Sequence, residues 1–318
     1  MIADTLGLVA RTTSCAARRL PVAGRLFGRV PRLELEGRVV FITGAARGLG
    51  AEIARQAYDR GADVALVGRR RAPLKALAAQ LGDRAAAFEA DVSDLAALTR
   101  AAEATVERFG GIDVVVANAG IAPPSDTVLT IDPAAFERTV DIDLLGQWRT
   151  VRATLPALIE RQGHVLVVAS IYAFFNGALN ASYAASKAGV EQLTRALRVE
   201  LAPHGVSAGV AYLGFIETDL AADVFEQAQV AQARKAAPAF FTTPMPAHAA
   251  GRAVLDGIER RAARVGAPGW VLPMLAARGA VTTVMDEVML HNRELARAIG
   301  GAESAAAARS QPMGLTPR

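Results

Sequence analysis

The stretch Val39-Val40-Phe41-Ile42-Thr43-Gly44-Ala45-Ala46-Arg47-Gly48-Leu49-Gly50 decides the architecture. Its first four residues form an unbroken apolar run, the mark of a strand buried on both faces. Glycines at 44, 48 and 50 follow, and a helical stretch over residues 51–60 comes directly after. A second apolar run, Asp63-Val64-Ala65-Leu66-Val67, completes a strand–turn–helix–strand unit. Such a unit pairs its strands in parallel through a right-handed crossover. Further runs at 85–89, 113–117, 164–169 and 206–212 extend the alternation, with helical stretches between them. The expected class is α/β, a doubly wound parallel sheet of about seven strands with helices on both faces. Ligands of such a sheet bind beyond the carboxyl ends of the strands, near the point where strand order reverses.

The glycine turn has a physical task. Gly44, Gly48 and Gly50 remove side chains where the chain turns tightly and lets a pyrophosphate rest against a helix N-terminus. An acidic residue at the end of the second strand would hold the ribose hydroxyls of NAD. Gly68 stands there instead, followed by Arg69, Arg70 and Arg71, and Arg47 in the turn is placed to reach the same region. Two guanidinium groups suit a 2′-phosphate through charge-assisted, forked hydrogen bonds. The expected cofactor is NADP(H), with NAD(H) as the alternative.

A second constellation lies between Ser170 and Lys187. The run 165–169 ends at Ser170, a loop with Asn176-Gly177 follows, and an alanine-rich stretch over 183–202 reads as a helix. Positions four apart share a helix face, so Tyr183 and Lys187 point the same way. A free tyrosine titrates at about 10. A neighbouring ammonium favours the phenolate and lowers that value, which draws the phenol toward general acid–base work. Ser170 is placed to hold the substrate oxygen whose proton Tyr183 gives or takes. The chain has four tyrosines and three lysines, so chance yields such a pair roughly 4% of the time, and its neighbours carry the weight.

Composition excludes other classes. The chain has 318 residues, 52% of them hydrophobic, yet no apolar run of membrane-spanning length. Residues 1–32 carry six arginines against Asp4, a net of +5, which leaves the remainder at −1. A nearly neutral body offers no nucleic-acid surface. The lone cysteine, Cys15, permits neither an internal disulfide nor a cysteine-based metal site, and no metal is expected. The leader pairs Ile2, Leu6 and Val9, then Val22, Leu26 and Val30, with arginines. That pattern fits a solvated extension, peripheral contact with an anionic membrane, or organelle targeting. Its apolar stretch is too short for a secretory signal, and the expected location is cytoplasmic.

Six signatures now stand in register: Thr43-Gly44-x-x-x-Gly48-x-Gly50, Asp91-Val92, Asn118-Ala119-Gly120, Ser170, Tyr183-x-x-x-Lys187 and Gly214-Phe215-Ile216-Glu217-Thr218. In this order and spacing the chain resembles the short-chain dehydrogenase/reductase (SDR) family over residues 34–268. The resemblance implies a Rossmann-like single domain. It implies cofactor contacts at Gly44, Ala46, Arg47, Gly48, Leu49, Gly50 and Arg69, with Asp91 on the adenine amino group and Val92 packed on the ring. Asn118, Ala119 and Gly120 would steady the central strand beside the cofactor. Lys187 would also bind the nicotinamide ribose, with Tyr183 alongside, and Gly214, Ile216 and Thr218 would cover the nicotinamide. The family is commonly dimeric or tetrameric, so a homodimer or homotetramer is expected.

Two positions depart from the family pattern. Asp143 stands where an asparagine usually holds a water that links the lysine to solvent. Aspartate accepts from water or Lys187 but, when ionised, donates nothing and adds a negative charge, so the relay is expected in altered form. Leu213 replaces the usual proline before Gly214, which is expected to loosen the covering loop. Ser170, Tyr183, Lys187 and Asp143 are the expected catalytic residues.

Ile171, Tyr172, Phe174, Phe175, Leu213 and Phe215, with Val224, Phe225, Phe240 and Phe241 from the variable segment 220–246, frame an apolar pocket. The same aromatics also read as core packing. The domain plan is a basic extension over 1–33, the catalytic domain over 34–268, a helical extension over 269–299 and a disordered tail over 300–318. The helical extension carries an apolar stripe at Val281, Val284, Met285, Val288 and Met289 that resumes at Leu295 and Ile299. The expected function is NADP(H)-dependent interconversion of a secondary alcohol and a ketone or aldehyde on a small lipophilic substrate. The rival reading is a nucleotide-binding sensor or membrane-peripheral scaffold of the same fold with little catalysis.

Overall fold

A computed structural model describes residues 32–218, 221–222, 225–235 and 237–310. Seven strands form one sheet: β1 (Val39–Thr43), β2 (Asp63–Gly68), β3 (Ala85–Glu89), β4 (Val114–Ala117), β5 (His164–Val168), β6 (Ser207–Leu213) and β7 (Arg264–Ala267). Their order is β3-β2-β1-β4-β5-β6-β7, and every neighbouring pair runs parallel. The order reverses between β1 and β4, where Ile42 lies opposite both Leu66 and Val116.

Alternate residues of each strand feed two cores, because successive side chains leave a strand on opposite faces. On one face Phe41, Val115, Val165 and Val210 meet Leu98 of α3 (Leu95–Phe109), Val151 and Leu158 of α5 (Gly146–Glu160), and Val190 and Leu197 of α6 (Ala181–Glu200). On the other, Val40, Ile42 and Val116 meet Ile53 of α1 (Gly48–Asp59), Leu74 of α2 (Arg71–Leu81) and Val254 of α9 (Ala247–Glu259). Burial on both sides is why the strands read as continuous apolar runs rather than alternating ones. Each fully buried side chain of this kind contributes about 1.5–3 kcal/mol.

A helix α4 (Pro133–Val140) passes through a π-turn at Asp141–Leu145 into α5. Beyond β6 come α7 (Ala228–Arg234), the short α8 (Ala239–Thr242) and, after β7, α10 (Val271–Ala276), α11 (Arg278–Leu290) and α12 (Arg293–Ser310). Strand β7 carries no apolar run of its own, since Arg264 and Gly266 take two of its four positions. The expected disorder from Gly300 is corrected up to Ser310: α12 continues through it, and Ala302 and Ala306 are buried. Alanine is the best helix former, and packing supplies the rest. The stripe on α11 divides. Val281, Met285 and Met289 are half-buried, whereas Val284 and Val288 face solvent at 63% and 60% exposure. No helix among the described residues is long and apolar enough to cross a membrane. The leader over residues 1–31, the last residues 311–318 and Val224 lie outside the described residues.

Candidate active site

Beyond the carboxyl ends of the strands lies a cavity of about 630 Å³, and every residue expected to act in catalysis or to contact the cofactor, from Gly44 to Thr218, borders it. The end beside the glycine turn, where the sequence places the nucleotide, is shaped by main chain. Gly44 adopts φ +69°, and a Cβ there would stand 2.9 Å from Ala119 Cα. A Cβ on Gly50 would stand 2.3 Å from Gly44 O. Neither position accepts a side chain, so the turn lies against the 118–120 segment. Asn118 fastens the two, its Nδ2 donating to Thr43 O at 2.9 Å while its backbone N–H donates to Thr43 Oγ1 at 3.1 Å. The first turn of α1 opens onto the cavity through Gly48, Leu49 and Gly50, where backbone N–H groups and the helix dipole favour an anion.

Asp91, farther along this end, is oriented by Ser93, whose N–H and hydroxyl both donate to Oδ1 at 2.9 Å. Val92 beside it is buried. Arg69 Nε lies 3.8 Å from Asp91 Oδ2, and Arg47 is exposed at the same rim. Arg70 also borders the cavity, whereas Arg71 leaves it to begin α2.

The other end is built from side chains anchored to main chain. Ser170 follows β5, where its Oγ accepts from Tyr172 N at 3.3 Å and donates to Leu213 O at 3.4 Å. Tyr183 and Lys187 stand one turn apart on α6, and Lys187 Nζ lies 5.2 Å from the centre of the Tyr183 ring. Nζ donates to Val168 O at 3.4 Å and pairs with Asp143 Oδ2 at 3.5 Å. Asp143 sits in the π-turn, a distortion frequent at functional sites. It is wholly buried, and its Oδ1 accepts from Ile121 N at 2.8 Å. Burial pushes the Asp143 carboxyl above its usual range, against the pull of the Lys187 ammonium and the Ile121 N–H.

At Tyr183 the expected direction is reversed. Burial pushes the phenol above its ordinary value, and this outweighs the Lys187 ammonium and Ser170, which favour the phenolate. The Asp143 charge adds to the upward push. A low-dielectric surround disfavours any charged form, and one ammonium beside the ring does not overcome it.

The apolar wall is narrower than expected. Ile171, Tyr172, Leu213, Phe215 and Phe225 border the cavity, but Phe174, Phe175, Phe240 and Phe241 do not. Phe174 packs on Tyr212 at 6.1 Å between ring centres. Phe175 and Phe241 gather on Trp270, the latter at 4.9 Å. Leu213 ends β6 in register with Ala267, and Gly214 N donates to Ala267 O at 2.8 Å. The covering segment therefore starts from a strand held by its ladder, not from a loosened hinge.

Two further polar residues serve this end. Asn180 borders the cavity and meets the Tyr172 hydroxyl. Gln147 Nε2 donates at 3.1 Å to Val168 O, the carbonyl that Lys187 also uses. No motif marks either one. Asn180 carries a faint signal in being an N-cap residue type just ahead of a helix.

Comparison with known proteins agrees with this geometry. The family profile described as short chain dehydrogenase matches residues 38–229. An uncharacterized oxidoreductase of Staphylococcus saprophyticus is 34% identical over 196 residues, 60% of this chain and 83% of that relative. An L-rhamnose 1-dehydrogenase (NAD(P)(+)) of Sphingomonas sp. is 35% identical over 59% of this chain and 76% of its own length. The crystal structure of a 3-ketoacyl-(acyl-carrier-protein) reductase from Brucella melitensis, complexed with NADH, superposes with a TM-score of 0.65 at 29% identity, over 73% of this chain and 97% of that one. A profile match that runs from β1 past the segment above the cavity, on a parallel sheet of matching fold, shows that the chain belongs to the short-chain dehydrogenase family and is one of its oxidoreductases.

Proposed function

We propose that the protein is an NADP(H)-dependent oxidoreductase interconverting a secondary alcohol and a ketone or aldehyde on a lipophilic substrate. The observation that carries this reading is the convergence of Ser170, Tyr183 and Lys187 at one end of a cavity whose other end is a side-chain-free turn. That turn leaves room for a pyrophosphate, and Arg47 and Arg69 at the rim offer two cations to a 2′-phosphate. When bound, the nicotinamide supplies the hydride for reduction and receives it in oxidation.

Tyr183 gives its phenolic proton to the carbonyl oxygen in reduction and takes it back from the alcohol in oxidation. Its upward shift keeps the phenol protonated at neutral pH, which suits the donating role. Ser170 donates to the same substrate oxygen. Lys187 stabilises the phenolate left behind, and Asp143 fixes Lys187 in place at 3.5 Å. Tyr172, Phe215 and Phe225 supply an apolar wall for a lipophilic substrate. The named relatives act on a sugar and on an acyl chain, which supports the reaction class while leaving the substrate to this chain's own wall. The test is NADPH oxidation against a panel of hydrophobic ketones. Tyr183→Phe should lose about 10³-fold in turnover with NADPH affinity intact, and retained turnover would overturn the assignment.

A further inference from the structure

Three segments far apart in sequence meet beside Tyr183. The loop ahead of α6 contains a turn closed by Asn180 N–H donating to Gly177 O at 2.7 Å. The third residue of that turn, Leu179, has φ +63°, a left-handed conformation that favours glycine and strains a branched side chain. Leu179 is nevertheless buried, packed on Ala298 and Ala302 of α12, with Ala233 of α7 and Ile299 at the edge of the contact. Two tethers flank it. Asn176 Nδ2 donates to Asp286 Oδ1 of α11 at 2.9 Å, and Gln232 of α7 donates to Glu294 of α12. On the cavity side, Asn180 meets the Tyr172 hydroxyl, and the Tyr172 ring stands edge-on to Tyr183 at 5.8 Å. Strained backbone persists where its surroundings over-determine it, and here the surroundings are the C-terminal helices.

We propose that Leu179 is a positioning residue for the substrate end of the site: α12 holds it in the left-handed conformation, and that conformation sets where Asn180 and Tyr172 face the substrate beside Tyr183. What is positioned rests on the oxidoreductase reading; the packing does not.

Leu179→Gly removes the contact with α12 while leaving the backbone conformation open to the new residue. Ala302→Glu breaks the same contact from the helix side. In the full chain, both should raise amide hydrogen exchange over residues 176–183 about tenfold or more, with exchange in β1 unchanged. In NADPH-linked reduction of 2-decanone and cyclohexanone, KM should rise about fivefold with kcat changed less, and NADPH Kd should stay within about twofold. Unchanged exchange in Leu179→Gly overturns the proposal whatever turnover does. Faster exchange with an unchanged KM overturns the positioning role. Leu179→Gly touches no strand and stays interpretable if Ala302→Glu unfolds. Absence of turnover in the wild-type chain counts against the oxidoreductase reading, while the exchange result still decides the clamp.

Discussion

The two ends of the cavity are made differently. At the end proposed for the nucleotide the shape comes mostly from main chain and from side chains that are missing: Gly44 and Gly50 let the turn lie against residues 118–120, and Asn118 fastens it through its side-chain amide to Thr43 O and its N–H to Thr43 Oγ1. Its parts follow β1, β2, β3 and β4, neighbours in one sheet. At the end proposed for the substrate the shape comes from side chains delivered by the loop after β5, by α6 and by the segment beyond β6, with α11 and α12 behind the loop ahead of α6. The contrast teaches that a site for a common cofactor is built from geometry any backbone can repeat. A site for a particular substrate is built from which side chains happen to meet.

Four variants would break or sharpen that contrast. The largest effect is expected from Gly50→Ala, whose Cβ would fall 2.3 Å from Gly44 O. Stability should fall by about 1–3 kcal/mol, and NADPH affinity should fall about 100-fold as the turn shifts. Thermal unfolding and ligand titration measure the two, and a wild-type Kd would separate the turn from the cofactor. Next, Arg47→Ala combined with Arg69→Ala should cut the preference for NADPH over NADH about tenfold or more, the loss expected of charge-assisted hydrogen bonds. Equal losses with both cofactors would leave the arginines no part in reading a phosphate.

Asp143→Asn acts at the other end and by less. The Asp143 charge adds to the burial that pushes Tyr183 upward, so its removal should move the pH midpoint of alcohol oxidation, which needs the phenolate, to lower pH. An unmoved profile would leave that charge without a part in proton transfer. His164 is the control, since it lies at the amino end of β5 and away from the cavity. Burial, then the nearby Arg261 and Arg198, push its pKa down to about 3 from an ordinary 6.5. Between those values the unfolded chain binds a proton that the folded chain refuses, so stability is complete above about 6.5 and falls as pH drops through the window. His164→Gln should flatten that slope by at most about 1.4 kcal/mol per pH unit. Turnover at pH 7.5 should not change, and a slope identical to wild type would remove His164 from the acid response.

The strands were legible because burial on both faces demands unbroken apolar runs, and the glycine turn because nothing but glycine fits there. Strand β7, with Arg264 and Gly266, offers no such run. Composition misleads in the stretch after Gly300 because, beyond Leu295, the buried face of α12 consists of alanines, Ala298, Ala302 and Ala306, four apart. Their composition looks like that of a linker until a partner surface is known. Phe240 and Phe241 were assigned to the pocket by type, yet their place is decided by Trp270, which no local pattern announces. At Tyr183 the partners were legible from spacing four. The balance of burial against charge was not, since burial is a property of the assembled fold.

Lys187, Asp143 and Ser170 are each tied to a peptide group, at Val168 O, Ile121 N and Leu213 O. A peptide group is common to every amino acid, so single-codon change seldom erases these anchors, and the surrounding side chains are free to drift over evolutionary time. What the arrangement cannot survive is slippage: displacing β5 by one residue against β4 and β6 would turn the Val168 carbonyl to the opposite side and strand the lysine. Heritable variation in this enzyme should therefore gather in the walls of the cavity and spare the alignment of its central strands.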